Sequence, residues 1–209
     1  MRKLKIIIIL IIVLLIICFF INFVHNFVIY SSILDKTSVY LESSNVYYEK
    51  YSSEATDDLI KYSKLNNLEK IETLKNNSIY SIQWNDYNSN EFLDFYVQDK
   101  IVHKHFEKPE KYSLPFLVTE ADNTFSNKLA KSLCSFILTK NIDGKDCYVI
   151  SSIGGKYYID KDTGLPMRKE EKIVVNNQEK TVSLTYENWK FEELKMEDMS
   201  KPDTTDYKE

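Results

Sequence analysis

The chain has 209 residues, 44% hydrophobic and 13% aromatic, with 27 basic against 31 acidic side chains, and its longest apolar run lies at the amino terminus. Three of the cations, Arg2, Lys3 and Lys5, precede that run, so the remainder carries 24 basic residues against 31 acids, a net charge of −7. That balance opposes binding to nucleic acid or to an anionic membrane surface.

Ile6 to Ile21 is unbroken apolar sequence, and the character continues to Tyr30 with Asn22, His25 and Asn26 interrupting. A spanning helix needs about 20 such residues at roughly 1.5 Å each. Arg2, Lys3 and Lys5 precede the run and the next charges are Asp35 and Lys36, a bias that keeps the amino terminus in the cytoplasm and places the rest outside. A cleaved signal peptide is the competing reading. No small-x-small site follows the run, however, and about 25 apolar residues exceed the usual 7 to 15. Cys18 follows Leu15-Ile16-Ile17, with bulky Ile17 where a lipidation signal needs a small residue. The expectation is a retained anchor over residues 1–30, an extracytoplasmic domain over 31–195 and a tail over 196–209. About 180 exterior residues suit one domain.

The anchor helix is expected to continue to about Ser44, because Ile33, Leu34, Thr37, Tyr40 and Leu41 keep helical spacing. Strand-like segments follow at Val46–Tyr51, Leu59–Leu65, Leu68–Leu74, Ile79–Trp84, Phe92–Val97 and Ile101–Phe106. They are separated by Asn66-Asn67, Asn76-Asn77 and the polar run Asn85 to Asn90, whose side chains bond their own backbone and tolerate turn conformations. A second helix follows the cap signal Asp122-Asn123, with Phe125, Leu129 and Leu133 on one stripe. All four glycines then fall between apolar runs. Phe136–Thr139 turns at Asp143-Gly144, Cys147–Ile150 at Gly154-Gly155, and Tyr157–Ile159 at Asp162-Thr163-Gly164 before a strand from Met167 to Val175. Glycine supplies the positive φ such hairpins need, and Pro166 begins a strand, where a missing donor is tolerated. In Val182-Ser183-Leu184-Thr185-Tyr186, strict alternation puts Val182, Leu184 and Tyr186 on one face. The segment from Met196 to Glu209 is polar, contains Pro202, and reads as disordered.

An exterior antiparallel meander, an early helix, a helical insertion and the turn YYIDKDTGLPMR over 157–168 together resemble the lipoprotein-carrier superfamily, called LolA-like. In that family a strand ending in Asp leads through a turn and Gly-Leu-Pro into the next strand, as Ile159-Asp160 and Thr163-Gly164-Leu165-Pro166 do here. The resemblance implies an α+β fold: an open, curved antiparallel half-barrel cupping one or two helices, with an apolar cavity between them. Carriers of the family shuttle between membranes. A chain held by its own helix ferries nothing far, which leaves local binding or sensing.

Catalytic and metal-binding patterns are weak. His103 and His105 share a strand face, but no third ligand is specified and Lys104 and Lys108 disfavour a cation, so they read as a surface pair. The Asp143 to Asp146 segment lacks the rest of a calcium loop. No phosphate loop, serine elbow or zinc pair occurs, so no enzyme, metal or cofactor is expected. Cys134 and Cys147 lie in a compartment that permits a disulfide, yet an Asp143-Gly144 hairpin sets Cys134 opposite about Ile153 and Cys147 opposite about Lys140, too far apart to bridge. A bond would require Cys134 to sit at the helix end and fold back, and two buried thiols are the expected reading. Tyr80, Ile82 and Trp84 share one strand face, and Trp189 and Phe191 end the last strand. Tyr80, Ile82, Trp84, Val182, Leu184 and Tyr186 are candidate pocket residues, although such residues also make ordinary core. The expected function is a membrane-anchored extracytoplasmic module binding a lipid, an acylated peptide or another apolar ligand. The alternative is a protein-interaction or sensory module of the cell envelope without a cavity.

Overall fold

The computed structural model describes residues 2–41, 43–52, 58–109, 125–152, 155–175, 178–191 and 193–208. Asp122-Asn123 and Gly154 fall outside them. A helix α1 (Arg2–Leu41) precedes six strands: β1 (Asn45–Ser52), β2 (Leu59–Leu65), β3 (Leu68–Lys75), β4 (Ser78–Asp86), β5 (Glu91–Tyr96) and β6 (Ile101–His105). A helix α2 (Phe125–Cys134) then leads to β7 (Phe136–Ile142), β8 (Lys145–Ser152), β9 (Gly155–Asp160), β10 (Pro166–Val175) and β11 (Gln178–Phe191). The strands form one open, curved sheet in the order β6-β5-β4-β3-β2-β1-β11-β10-β9-β8-β7. Two meanders are therefore joined where β1 pairs antiparallel with β11.

The turns follow from local chemistry. Leu65 pairs with Leu68 around Asn66, whose φ is 55°, and Lys75 pairs with Ser78 around Asn76 and Asn77, at 50° and 60°. Ile142 pairs with Lys145 around Asp143 and Gly144, at 50° and 83°. Two successive positive φ values make the tight hairpin turn that matches strand twist, and Asn, Asp and Gly tolerate them best. The same register sets Lys140 opposite Cys147. Cys147 is buried as expected, whereas Cys134, at the end of α2, is exposed rather than buried, and both are free thiols.

The helix α1 has two environments along one axis of about 60 Å. From Leu4 to Ile21 its side chains are exposed, whereas Asn26, Ile29, Tyr30, Ile33, Leu34 and Thr37 are buried at helical spacing. Ile29, Tyr30, Ile33 and Leu34 pack on Ile137, Ile150 and Ile159, so the second half of α1 is the core of the β7–β9 side. The helix ends at Leu41 rather than Ser44. The Ser44 carbonyl is drawn off to accept from the Asn66 amide at 2.6 Å, which ties the start of β1 to the β2–β3 turn.

Core forms on both faces of the sheet. Tyr48, Tyr62 and Tyr186 are buried together with Val46 on the face that meets α1, where Tyr40 stacks on Phe191 at 4.2 Å. Trp84 pairs with Lys70, Lys70 with Ser63 and Ser63 with Tyr47, so Trp84 shares the face of Tyr47, not of its neighbour Tyr48. On that second face Ile82, Trp84, Leu93, Phe95 and Val102 form a separate core.

The carboxy-terminal segment, expected to be disordered, covers it over the described residues 196–208. Met199 is buried, its carbonyl accepts from Trp84 Nε1 at 3.0 Å, and Tyr207 meets Phe95 edge-on at 5.6 Å. Lys208 bridges Ile101 as a short parallel extension beyond β6. Polar composition hid these two apolar anchors, and it could not register that the face of β4–β6 needs a cover.

Candidate functional site

The stretch 157–168 is built around one carboxylate. Asp160 Oδ1 accepts from the amides of Asp162 (2.8 Å) and Thr163 (3.3 Å), and its backbone carbonyl accepts from the Gly164 amide at 2.8 Å. The side chain thereby supplies the turn with its own hydrogen bonds. Gly164 has a φ of +74°, and a Cβ there would lie 3.0 Å from Lys36 Cβ and 3.1 Å from Thr37 Cγ2. Lys36 Nζ donates to the Lys161 carbonyl. The glycine thus serves the turn and also the close seating of that turn on α1, a second reason that spacing alone does not reveal.

Beside this turn lies a cleft of about 520 Å³, within the usual size of small-molecule sites. Leu165, Met167, Tyr186 and Trp189 contribute apolar surface, and Trp189 is held by donating Nε1 to the Pro166 carbonyl at 3.2 Å. The charged lining is mixed. Arg168 faces Asp143 at 3.8 Å and Lys145 faces Asp160 at 3.6 Å, with Glu187 also present. Arg168 Nε is buried without a hydrogen-bond partner among the described residues, and the guanidinium lies 5.8 Å over the Tyr158 ring. Burial and a 2.8 Å hydrogen bond to Glu170 push Tyr158 up to about 12, so it stays a neutral donor at physiological pH. Burial, then Asp160, pushes the Cys147 thiol up. This combination of apolar surface and mixed charge suits an amphiphile.

The six sequence candidates divide between the faces. Val182 and Tyr186 are buried and Leu184 is half-buried on the α1 side, and of these Tyr186 lines the cleft. Ile82 and Trp84 lie in the core beneath the carboxy-terminal segment, and Tyr80 is half-buried with Lys75 Nζ 4.0 Å over its ring. The sheet separates the two sets, so they cannot line one pocket. Leu165, Met167 and Arg168 were missed as lining residues. The sequence named their turn, but which side of the sheet holds open volume depends on where α1 packs.

Aromatic side chains also make a continuous strip. Trp189 stacks on Tyr48 at 4.6 Å and runs nearly parallel to Phe191, which stacks on Tyr40 of α1. His105 Nε2 contacts Asp94 at 2.7 Å and His103 meets Tyr96 edge-on, so each histidine is engaged by β5. Among the described residues no three His, Cys, Asp or Glu side chains converge as a metal site would require.

The shape has relatives among solved structures, whereas no protein-family model and no curated protein matches the sequence. A crystal structure of an uncharacterized conserved protein from Thermus thermophilus superposes with a TM-score of 0.53 at 12% identity, over 85% of this chain and 96% of that one. A putative outer membrane lipoprotein-sorting protein domain from Vibrio parahaemolyticus aligns at 12% identity over 80% of this chain and 94% of that one, with a TM-score of 0.34. The first shares the fold. The second is too loose a likeness to bear on function.

Proposed function

We propose that the protein is a membrane-anchored extracytoplasmic module that binds a lipid, an acylated peptide or a comparable amphiphile in the cleft beside the 160–168 turn, and that it is not an enzyme. The observation that carries this reading is the cleft itself, in which Leu165, Met167, Tyr186 and Trp189 lie beside Arg168 and Lys145. An apolar tail finds surface there, and a polar head finds donors and carboxylates. The resemblance of the turn to the lipoprotein-carrier superfamily points the same way.

Retention of the anchor is supported by the double use of α1. Its exposed apolar half has the length and composition to cross a bilayer, and its second half fills the core. Cleavage within Asn26 to Leu34 would remove that core. Thr37, beside the turn, lies about 17 Å along the axis from Asn26, so a ligand in the cleft is held clear of the membrane surface.

The two tryptophans allow a direct test, because Trp84 lies beneath the carboxy-terminal segment and Trp189 lines the cleft. In a Trp84→Phe variant, addition of a brominated fatty acid or lysophospholipid is expected to quench Trp189 emission saturably. In a Trp189→Phe variant, the remaining Trp84 should be unaffected. Equal quenching of both, or none of either, overturns the reading. The alternative, an interaction or sensory module, is favoured by the sheet edge at β7, which pairs with no further strand among the described residues. It predicts one dominant protein adduct and no lipid adduct after crosslinking in native membranes.

A further inference from the structure

The second helix carries its apolar stripe on the outside. Phe125 is 69% exposed, Leu133 is exposed and Leu129 is half-buried, whereas Ser132 is the buried residue. The stripe read from the sequence is thus turned outward at Phe125 and Leu133. The physical reason is the mode of docking. Asn26 of α1 donates from Nδ2 to the carbonyls of Ser132 (3.0 Å) and Ser135 (2.8 Å), and Tyr30 meets Ser135 Oγ at 2.7 Å. The polar side of the helix end is thus turned to α1, and of the apolar stripe Phe125 meets α1 at Phe27 while Leu133 stays exposed. The edge strand β7, which follows α2 directly, also exposes Phe136, at 56%, and Leu138.

The position of this surface identifies what covers it. Asn26 and Tyr30 stand just beyond the apolar run, which at about 20 residues per span ends near His25. A ladder of rings leads from the span to α2: Phe20 to Phe23 at 6.4 Å, Phe23 to Phe27 at 6.1 Å, and Phe27 to Phe125 at 5.8 Å. Val24 and Val28, both exposed, flank it. Phe125 therefore sits within a turn of the helix from the membrane boundary. The helix has Lys128 and Lys131 and no acid in a domain that is otherwise acidic, a local charge suited to phosphate head groups.

We infer that α2 and the start of β7 form a second membrane contact, lying in the head-group region of the outer leaflet and fixing the tilt and rotation of the sheet domain about α1. The inference rests on the reading of α1 as a retained span. The occupant is the lipid surface, and the driving force is burial of Phe125, Leu129, Leu133 and Phe136 rather than net charge.

Spin-label depth measurement on the full chain, reconstituted in phosphatidylcholine vesicles, separates the two ideas. With Cys18 and Cys134 replaced by Ser and buried Cys147 retained, a nitroxide is placed in turn at Leu133→Cys, at Ile12→Cys within the span, and at Val174→Cys, an exposed site on β10. The expected result is a several-fold lower collision rate with a water-soluble nickel chelate at 133 than at 174, with oxygen accessibility at 133 between those at 174 and 12. A label at 133 as open to nickel as that at 174 overturns the second contact while leaving the span intact. One shielded from both reagents also overturns it, pointing to a second copy of the chain. Nickel accessibility at 12 equal to that at 174 means instead that the span has failed.

Discussion

Two glycines separate the effect of backbone conformation from that of space. Gly144 has a φ of +83° and open space where a Cβ would stand, whereas Gly155 has a φ of +134° and a Cβ there would meet the Glu170 carbonyl oxygen at 2.2 Å. Gly144→Ala should cost about 1 kcal/mol through strain alone. Gly155→Ala should cost at least about 3 kcal/mol, because β9 and β10 must also separate. Thermal unfolding of the full chain in detergent compares them. Glu49 offers a pH signature. Burial raises its carboxyl, but hydrogen bonds from Tyr47, Asn188 and Tyr51 outweigh that and hold it below its ordinary value. A depressed carboxylate contributes stability that is present above the unfolded value of about 4.3 and lost as the pH falls through the folded one. The stability gap between the native chain and Glu49→Gln should therefore be widest near neutral pH and shrink below about pH 4, measured by denaturant unfolding across that range.

The carboxy-terminal segment behaves as a further piece of the sheet domain rather than as a tail. It closes the face of β4–β6 with Met199 and Tyr207 and is pinned by Lys201 to Glu91 at 2.8 Å. Ending the chain at Lys195 should lower stability by roughly 3 kcal/mol, the order of one or two buried side chains. It should also shift Trp84 emission to the red as water reaches the ring, read with Trp189→Phe as background. Unchanged emission would mean that the segment does not cover Trp84. The strands themselves were readable from residue order because period-two alternation and Asn or Gly turns are local. The fate of this segment was not, since its anchors Met199 and Tyr207 stand isolated among polar residues and gain meaning only opposite Trp84 and Phe95.

The molecule as a whole is organised by α1, whose exposed apolar half runs without a break into the half that fills the core. Removing residues 2–25 takes away the exposed half alone, so that chain should fold and leave the membrane fraction. Removing residues 2–41 also deletes Ile29, Tyr30, Ile33 and Leu34. At about 1.5 to 3 kcal/mol for each buried side chain, the loss is comparable to the whole stability of a domain, and that chain should not fold. Circular dichroism and proteolysis distinguish the outcomes. The α+β meander, its hairpin turns and the length of the apolar helix are properties of neighbouring residues, and they could be read from the sequence because each depends on chain stereochemistry or on a local period. The two opposed cores, the outward stripe of α2 and the side on which the cleft opens depend on contacts between residues more than a hundred positions apart, as between Asn26 and Ser132 or Trp84 and Met199. No local pattern encodes which of several apolar faces meets which, because that choice follows from how the whole sheet curves around one helix.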